Sequence, residues 1–212
     1  MPLPSQTIVR KLRVLGVDPA LAGSTGYGIV EVEGSVARLV RYGALRLPRQ
    51  SSLGARLREI HALIESLVEE FSPDAVAVES VFTALNVRTA IQLAEVRGVV
   101  LLAAAQASIP THSYSPREVK ACVAGYGAAS KDQVQQMVSA TLGLRERPKP
   151  ADASDALAVA LCHAFLCRSR ERLAAATAQL PCSPGASQAP RVDSTFKIHR
   201  TSGRPVRIQE LQ

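Results

Sequence analysis

The sequence predicts an α/β fold, a mixed five-stranded sheet flanked by helices. Three observations lead to this class. Glycine-rich turns separate strand-like runs near the amino terminus, which is typical of an antiparallel meander. An amphipathic helical pattern then leads into a short apolar run, the arrangement of a crossover to a parallel strand. Further along, helix start signals precede apolar segments, and these helices can cover the sheet.

The first three predicted strands occupy residues 13–47. The first ends at Asp18, the second reads GYGIVEV after the segment 23–26, and the third reads ARLVRYGALRL after Gly34-Ser35. We interpret both glycine-containing segments as tight turns.

A helix is predicted from Ser52. Its apolar positions step by three and four, which places them on one helix face: Leu53, Leu57, Ile60, Ile64, Leu67 and Phe71. The segment 72–74, Ser-Pro-Asp, ends the helix. Residues 75–79 (AVAVE) then form a short apolar run, which predicts a buried strand parallel to the first.

The remaining elements are mostly helical. We predict a helix from about Asn86 to Ser108, a strand over 112–114, and a last helix that opens near Ala151. Two further helix starts carry capping-box pairs, Ser115 with Glu118 and Ser130 with Gln133.

Composition divides the chain into an extension over residues 1–12, one folded domain over 13–167 and a tail over 168–212. Residues 173–190 are dominated by small and polar residues, so we expect a flexible, disordered tail. The net charge of +7 is concentrated there, since the tail carries +5 and the remainder only +2. Basicity alone therefore says little about the folded domain.

Several classes are disfavoured. The longest apolar stretch, Val99–Ala105, is too short to span a bilayer, and no signal peptide is recognisable, so we expect a cytoplasmic protein without a membrane partner. The four cysteines form no C-x-x-C pair, which argues against a zinc site or a disulfide framework. The four histidines are scattered, so a metal here would have oxygen ligands.

Four carboxylates form a candidate metal site. Asp18 and Glu79 end two strands that we expect to be neighbours, so they share one edge of the sheet. Asp152 and Asp155 are three residues apart at the start of the last helix, on one face. Each acid alone is ordinary at a strand end or in a first helical turn. Together they fit two Mg²⁺ ions about 4 Å apart, the arrangement that hydrolyses phosphodiesters.

Four segments, in order and spacing, resemble the RuvC family of Holliday-junction resolvases. They read VLGVDPA-LAGS-TGYGIV, VAVESVFTALNVRTAIQLAEVRGVVLLAA, SPREVKACVAGYGAASKDQVQQMV and ADASDALAVALCHA. The likeness extends from about Arg13 to Ala164, nearly the whole predicted domain.

The resemblance implies a ribonuclease-H-like fold and a homodimer that nicks two opposed strands of a four-way DNA junction during recombination and repair. It implies that Asp18, Glu79, Asp152 and Asp155 hold two Mg²⁺ ions per subunit, for which Mn²⁺ substitutes, and activate water against the scissile phosphate. The products would carry 5′-phosphate and 3′-hydroxyl ends. It also implies cooperation with the branch-migration proteins RuvA and RuvB.

Further roles follow from the resemblance. Phe82 matches an aromatic residue that stacks on bases of the opened junction, and Lys120 and Lys131 match residues that contact phosphates. The helix over 86–108 matches the dimer-forming region. The chain departs from the family at Ala20, where glycine is usual, and in a loop that is one residue longer.

Three other functions remain open on the residues alone. An actin-like ATPase or sugar kinase shares the fold and uses a glycine- and threonine-rich phosphate turn such as 23–26, but it needs a second subdomain. A related nuclease could act on linear duplex or structured RNA with the same carboxylates. A non-catalytic scaffold would bind junctions without cutting them.

Overall fold

The computed structural model describes residues 11–20, 23–48, 50–80 and 87–178. The strands are β1 (Leu12–Asp18), β2 (Ser24–Glu33), β3 (Val36–Arg46), β4 (Ala75–Glu79) and β5 (Thr111–Tyr114). The helices are α1 (Leu53–Phe71), α2 (Val87–Gln106), α3 (Pro116–Ala124), α4 (Lys131–Thr141) and α5 (Ala151–Ala178).

The five strands form one mixed sheet in the order β3-β2-β1-β4-β5. The first three strands pair antiparallel, as the glycine turns predict. Strand β4 returns parallel to β1 after the α1 crossover, with Val17 opposite Val78, and β5 continues parallel to β4. The predicted α/β class and ribonuclease-H-like architecture are confirmed.

Helices cover both faces of the sheet. Alternate side chains of the central strands, such as Leu15 and Val76, pack against α1 and α2. The intervening ones, such as Val14 and Ala77, pack against α3, α4 and α5. This alternation is the two-residue period of a strand buried on both faces.

Helix caps agree with the predicted start signals. Ser52 caps α1 by accepting a hydrogen bond from the amide of Ala55, and Ser72 ends the helix in the left-handed conformation. Ser115 and Ser130 each complete a capping box, at the starts of α3 and α4. Because these caps satisfy otherwise unpaired amides, they fix where each helix begins.

Helix α5 lies unusually close to the sheet at two glycines. A methyl group on Gly16 would overlap the carbonyl of Ala156, and one on Gly26 would overlap the carbonyl of Asp152. The absence of a side chain therefore lets the helix backbone touch β1 and β2. This contact sets the height of the first turn of α5 above the sheet.

Two predicted boundaries differ from the structure. The segment 23–26 is no turn, because β2 begins at Ser24 and Gly26 pairs with Asp18. Helix α5 continues to Ala178, eleven residues beyond the end of the domain predicted at 167. Its last turns are rich in alanine, the strongest helix former, so they extend the helix without a large apolar face. The remainder of the expected tail, and the extension before residue 11, lie outside the described residues.

Candidate active site

The four predicted carboxylates meet at one edge of the sheet. Asp18 and Glu79 are the last residues of the neighbouring parallel strands β1 and β4. Asp152 and Asp155 lie at the start of α5, which the close contact at Gly26 holds over the same edge. The two strands and the helix thus bring together acids that are far apart in sequence.

Three of the carboxylates are close enough to share a cation. One carboxylate oxygen from each of Asp18, Asp152 and Asp155 lies within 4.8 Å of the others. Glu79 joins this group through a hydrogen bond between its carboxyl and that of Asp18. All four are partly buried, so water screens their mutual repulsion only in part.

This crowding shifts the proton equilibria of two acids. Burial, followed by the charges of Glu79 and Asp155, raises the pKa of Asp18 to about 8. Burial also raises the pKa of Glu79, although its hydrogen bond with Asp18 opposes the rise. A proton shared between the two carboxyls relieves their mutual repulsion. Without a cation, the cluster holds a proton that an isolated aspartate would have lost.

Ser24 and Thr25 support the cluster, and sequence reasoning missed both. The Ser24 hydroxyl donates to Oδ2 of Asp152. The Thr25 hydroxyl donates to the carbonyl oxygen of Ala20 at 2.7 Å, which restrains the chain that follows Asp18. Both side chains are buried. The segment was read as a turn because of its glycines, whereas a strand here places both residues near the end of β1 that carries Asp18.

Two lysines border the acids. Lys131 Nζ lies 2.6 Å from Oδ2 of Asp155 and is 58% exposed. Lys120 lowers the pKa of Glu79 by its charge, after larger contributions from other groups. Both line a cavity of about 200 Å³ together with Glu79 and Asp155. The cavity is therefore lined both by acids and by lysine side chains.

The remaining predicted site residue, Phe82, lies outside the described residues.

The segment 23–26 does not form the phosphate-binding turn that a kinase-like function would use. Three of its residues belong to β2, and Ser24 serves Asp152 instead. A mixed sheet with acids at adjacent strand ends and at the start of the last helix is the arrangement of the ribonuclease-H-like nucleases.

The comparisons with known proteins narrow this class. The sequence model "Crossover junction endodeoxyribonuclease RuvC" matches residues 14–163. A relative of that name from Chloroflexus aggregans is 47% identical over 161 residues, covering 76% of this chain and 98% of the relative. The chain therefore belongs to the RuvC family of crossover junction endodeoxyribonucleases.

Solved structures agree. Thermus thermophilus RuvC superposes with a TM-score of 0.71 at 38% identity, covering 75% of this chain and 97% of that one. The same protein in complex with a Holliday junction substrate gives a TM-score of 0.72 at 38% identity, covering 75% and 96%.

Proposed function

We propose that this chain resolves Holliday junctions by symmetric nicking of two opposed strands, using divalent cations held by Asp18, Glu79, Asp152 and Asp155. The convergence of these carboxylates at the end of β1 and β4 is the observation that carries the proposal. Membership of the RuvC family supplies the substrate, a four-way DNA junction.

The donor set fits Mg²⁺. All four groups offer carboxylate oxygens, the ligands that hard cations prefer, and no histidine or cysteine belongs to the cluster formed by the described residues. Burial and then the neighbouring negative charges raise the pKa of Asp18, and a cation would offset that charge. We propose two Mg²⁺ ions per subunit, with Mn²⁺ able to use the same oxygens. When bound, they would lower the pKa of water and stabilise charge on the scissile phosphate.

The residues of the chain supply position and charge. Ser24 orients Asp152 by its hydrogen bond, and the ion pair with Asp155 holds Lys131 at the cavity. In the proposed complex, Lys131 and Lys120 bind phosphate oxygens of the cut strand, where their charge is worth most beside an anionic backbone. The acids hold the cations and exclude phosphate unless those cations are present.

Phe82 is proposed to stack on a base at the opened centre of the junction. This role rests on its match to the family motif three residues after Glu79. An aromatic ring stacks on any base, so it can stabilise unpaired nucleotides without reading their sequence.

A homodimer is proposed because paired nicks need two sites. The solvent-facing stripe of α2 carries Val87, Ile91 and Leu102, which are 76%, 55% and 54% exposed, together with exposed Gly98. Exposed apolar groups in a row along one helix are typical of a subunit interface. A two-fold axis through this stripe would present one site to each of two opposed strands.

By resemblance we also propose cooperation with RuvA and RuvB and a cytoplasmic location. No helix in the described ranges is long and apolar enough to cross a membrane.

The test compares a movable synthetic four-way junction with a matched linear duplex. In Mg²⁺ we expect paired nicks in the junction only, and loss of at least about 100-fold in rate for Asp18→Asn, since charge is removed from the cation site. Asp132→Asn is the matched control, because Asp132 is near the site in sequence and 80% exposed, and pairs with Arg147 instead. Junction binding without cleavage in Mg²⁺ and Mn²⁺ would contradict the proposal, as would equal cutting of the duplex.

A further inference from the structure

An exposed aromatic side chain lies between the two helices that supply the lysines of the cavity. Tyr126 is in the turn between α3 and α4, the helices that carry Lys120 and Lys131. It is 48% exposed, and it is the only Phe, Tyr or Trp between residues 115 and 164. Tyr126 therefore exposes about half of its surface in a part of the chain that has no other Phe, Tyr or Trp side chain.

The ring is held in place without being covered. The Tyr126 hydroxyl donates to Oε1 of Gln133 at 2.6 Å. The same oxygen accepts the amide of Ser130 at 2.8 Å as part of the capping box of α4. The backbone carbonyl of Tyr126 also accepts the amide of Ala129 at 3.3 Å. An exposed ring fixed from its hydroxyl and its backbone loses little freedom when a ligand binds to its face.

These contacts connect the ring to the acid cluster. Lys131 is the first residue of α4, two residues before Gln133, which is about 3 Å along the helix axis. Lys131 in turn pairs with Asp155 at 2.6 Å. Tyr126 is thus bonded to the first turn of α4, whose first residue, Lys131, pairs with the acid cluster and lines the cavity.

Further positive charge lies beside the turn that holds the ring. Arg117 is exposed on α3, and its Cγ lies 2.6 Å from where a methyl group on Gly127 would stand. Arg117 therefore packs over the residue that follows Tyr126. Basic side chains on the same two helices as an exposed aromatic ring can bind single-stranded nucleic acid together, with charge for the backbone and stacking for the base.

We propose that Tyr126 stacks on an unpaired nucleotide of the cut strand, next to the scissile phosphate, and so positions that strand over the carboxylates. This inference rests on the proposed junction-cleaving function. Tyr126 is a positioning residue, because it meets a base rather than the reacting phosphate. It would form a second aromatic contact, on the α3–α4 side of the site.

The test uses four-way junctions that carry 2-aminopurine at single positions flanking the cut. Stacking on an aromatic ring changes the fluorescence of this base, and Asp18→Asn protein is used so that the strand stays intact. We expect one position to respond, and Tyr126→Leu to abolish that response while Tyr126→Phe retains it. Tyr126→Leu should also slow single-turnover cleavage by about tenfold, the scale of one lost stacking contact.

Tyr42→Leu is the matched control, because Tyr42 is an exposed tyrosine on β3, at the opposite edge of the sheet from β5. An unchanged 2-aminopurine response and unchanged cleavage in Tyr126→Leu would overturn the inference. So would equal losses in Tyr126→Phe and Tyr126→Leu with a lower melting temperature, since these would assign the residue to capping α4. If otherwise wild-type protein fails to cut junctions, the proposed function fails, whereas the fluorescence still reports on Tyr126.

Discussion

At the scale of single residues, Asp18 is the acid whose negative charge is most destabilised by its surroundings in the site. It is partly buried at the end of β1, and three other carboxyls surround it. Its pKa of about 8 means that folding takes up a proton over much of the physiological range. The site is therefore built at a cost in stability that a cation would offset.

This cost predicts how the stability of metal-free protein depends on pH. The folded-state pKa of Asp18 lies above its ordinary value of 3.8, so the folded state binds more protons than the unfolded state between about pH 4 and pH 8. Stability therefore falls as pH rises through that window. Even a quarter of the full shift is about 1.4 kcal/mol, or roughly 3 °C in melting temperature.

Thermal melts in EDTA at pH 5.5 and pH 9 test this prediction. Asp18→Asn should melt higher than wild type at pH 9, and should lose most of the stabilisation that Mg²⁺ gives the wild type. If the wild type were more stable than Asp18→Asn at pH 9, the buried negative charge of Asp18 would not be destabilising, and this prediction would be wrong.

At the scale of elements, the height of α5 over the sheet decides whether the acids meet. Asp152 and Asp155 reach Asp18 because the helix backbone touches β2 at Gly26 and β1 at Gly16. A helix packed through ordinary side chains would stand farther from the sheet. The glycines are thus part of the site, although they offer no ligand.

The change Gly26→Ala should therefore affect both folding and cleavage. The added methyl overlaps the carbonyl of Asp152, so the start of α5 has to move away from β2. We expect a loss of stability of about 1–3 kcal/mol, as for overpacked cores, and a larger loss of cleavage than the melting temperature explains. Denaturant unfolding and single-turnover cleavage measure the two effects.

Gly54→Ala is the control, because nothing lies within 4 Å of that position in α1. Alanine in a helix should leave stability unchanged or raise it slightly. Equal behaviour of the two variants would contradict the close-contact role of Gly26.

Patterns within single elements predicted most of the fold. The periodic apolar positions of α1 and the capping pairs at Ser115 and Ser130 gave those helices, and the AVAVE run gave β4. The predicted start of β2 was wrong because glycine occurs both in turns and where two backbones lie in close contact. Only the position of α5 distinguishes these two roles at Gly26. The last helix extends past the domain end predicted at 167, because local helix preference continues where apolar burial ceases.

The candidate site was predictable only in part. Asp18 and Glu79 could be placed together, since ends of parallel strands share an edge. The supports at Ser24 and Thr25 could not, because their partners lie on α5 and in the loop after β1. Neither contact leaves a periodic pattern in the sequence.

At the scale of the whole molecule, the proposed paired nicking depends on a second copy. The stripe of α2 that carries Ile91 and Leu102 faces solvent in the single chain. We predict that Leu102→Glu shifts the protein towards monomer, because it places a charge within the proposed apolar interface. Sedimentation velocity over a range of concentrations measures the shift.

Leu173→Glu is the matched control, since Leu173 is 68% exposed on α5 and lies beyond the family match, which ends at 163. It should leave the oligomeric state unchanged. If the Leu102→Glu protein stays dimeric at the lowest concentrations, the interface does not lie on this stripe of α2.

The most direct test of the whole account uses a supercoiled plasmid that extrudes a cruciform, incubated with the protein and Mg²⁺. Two coordinated nicks across the junction convert the plasmid to a linear form, whereas a single nick gives an open circle. We predict linear product for wild-type protein, open circles in addition when wild-type and Asp18→Asn subunits are mixed to form heterodimers, and neither product for Asp18→Asn alone. Open circles from wild-type protein, or linear product from Asp18→Asn, would contradict resolution by paired carboxylate sites.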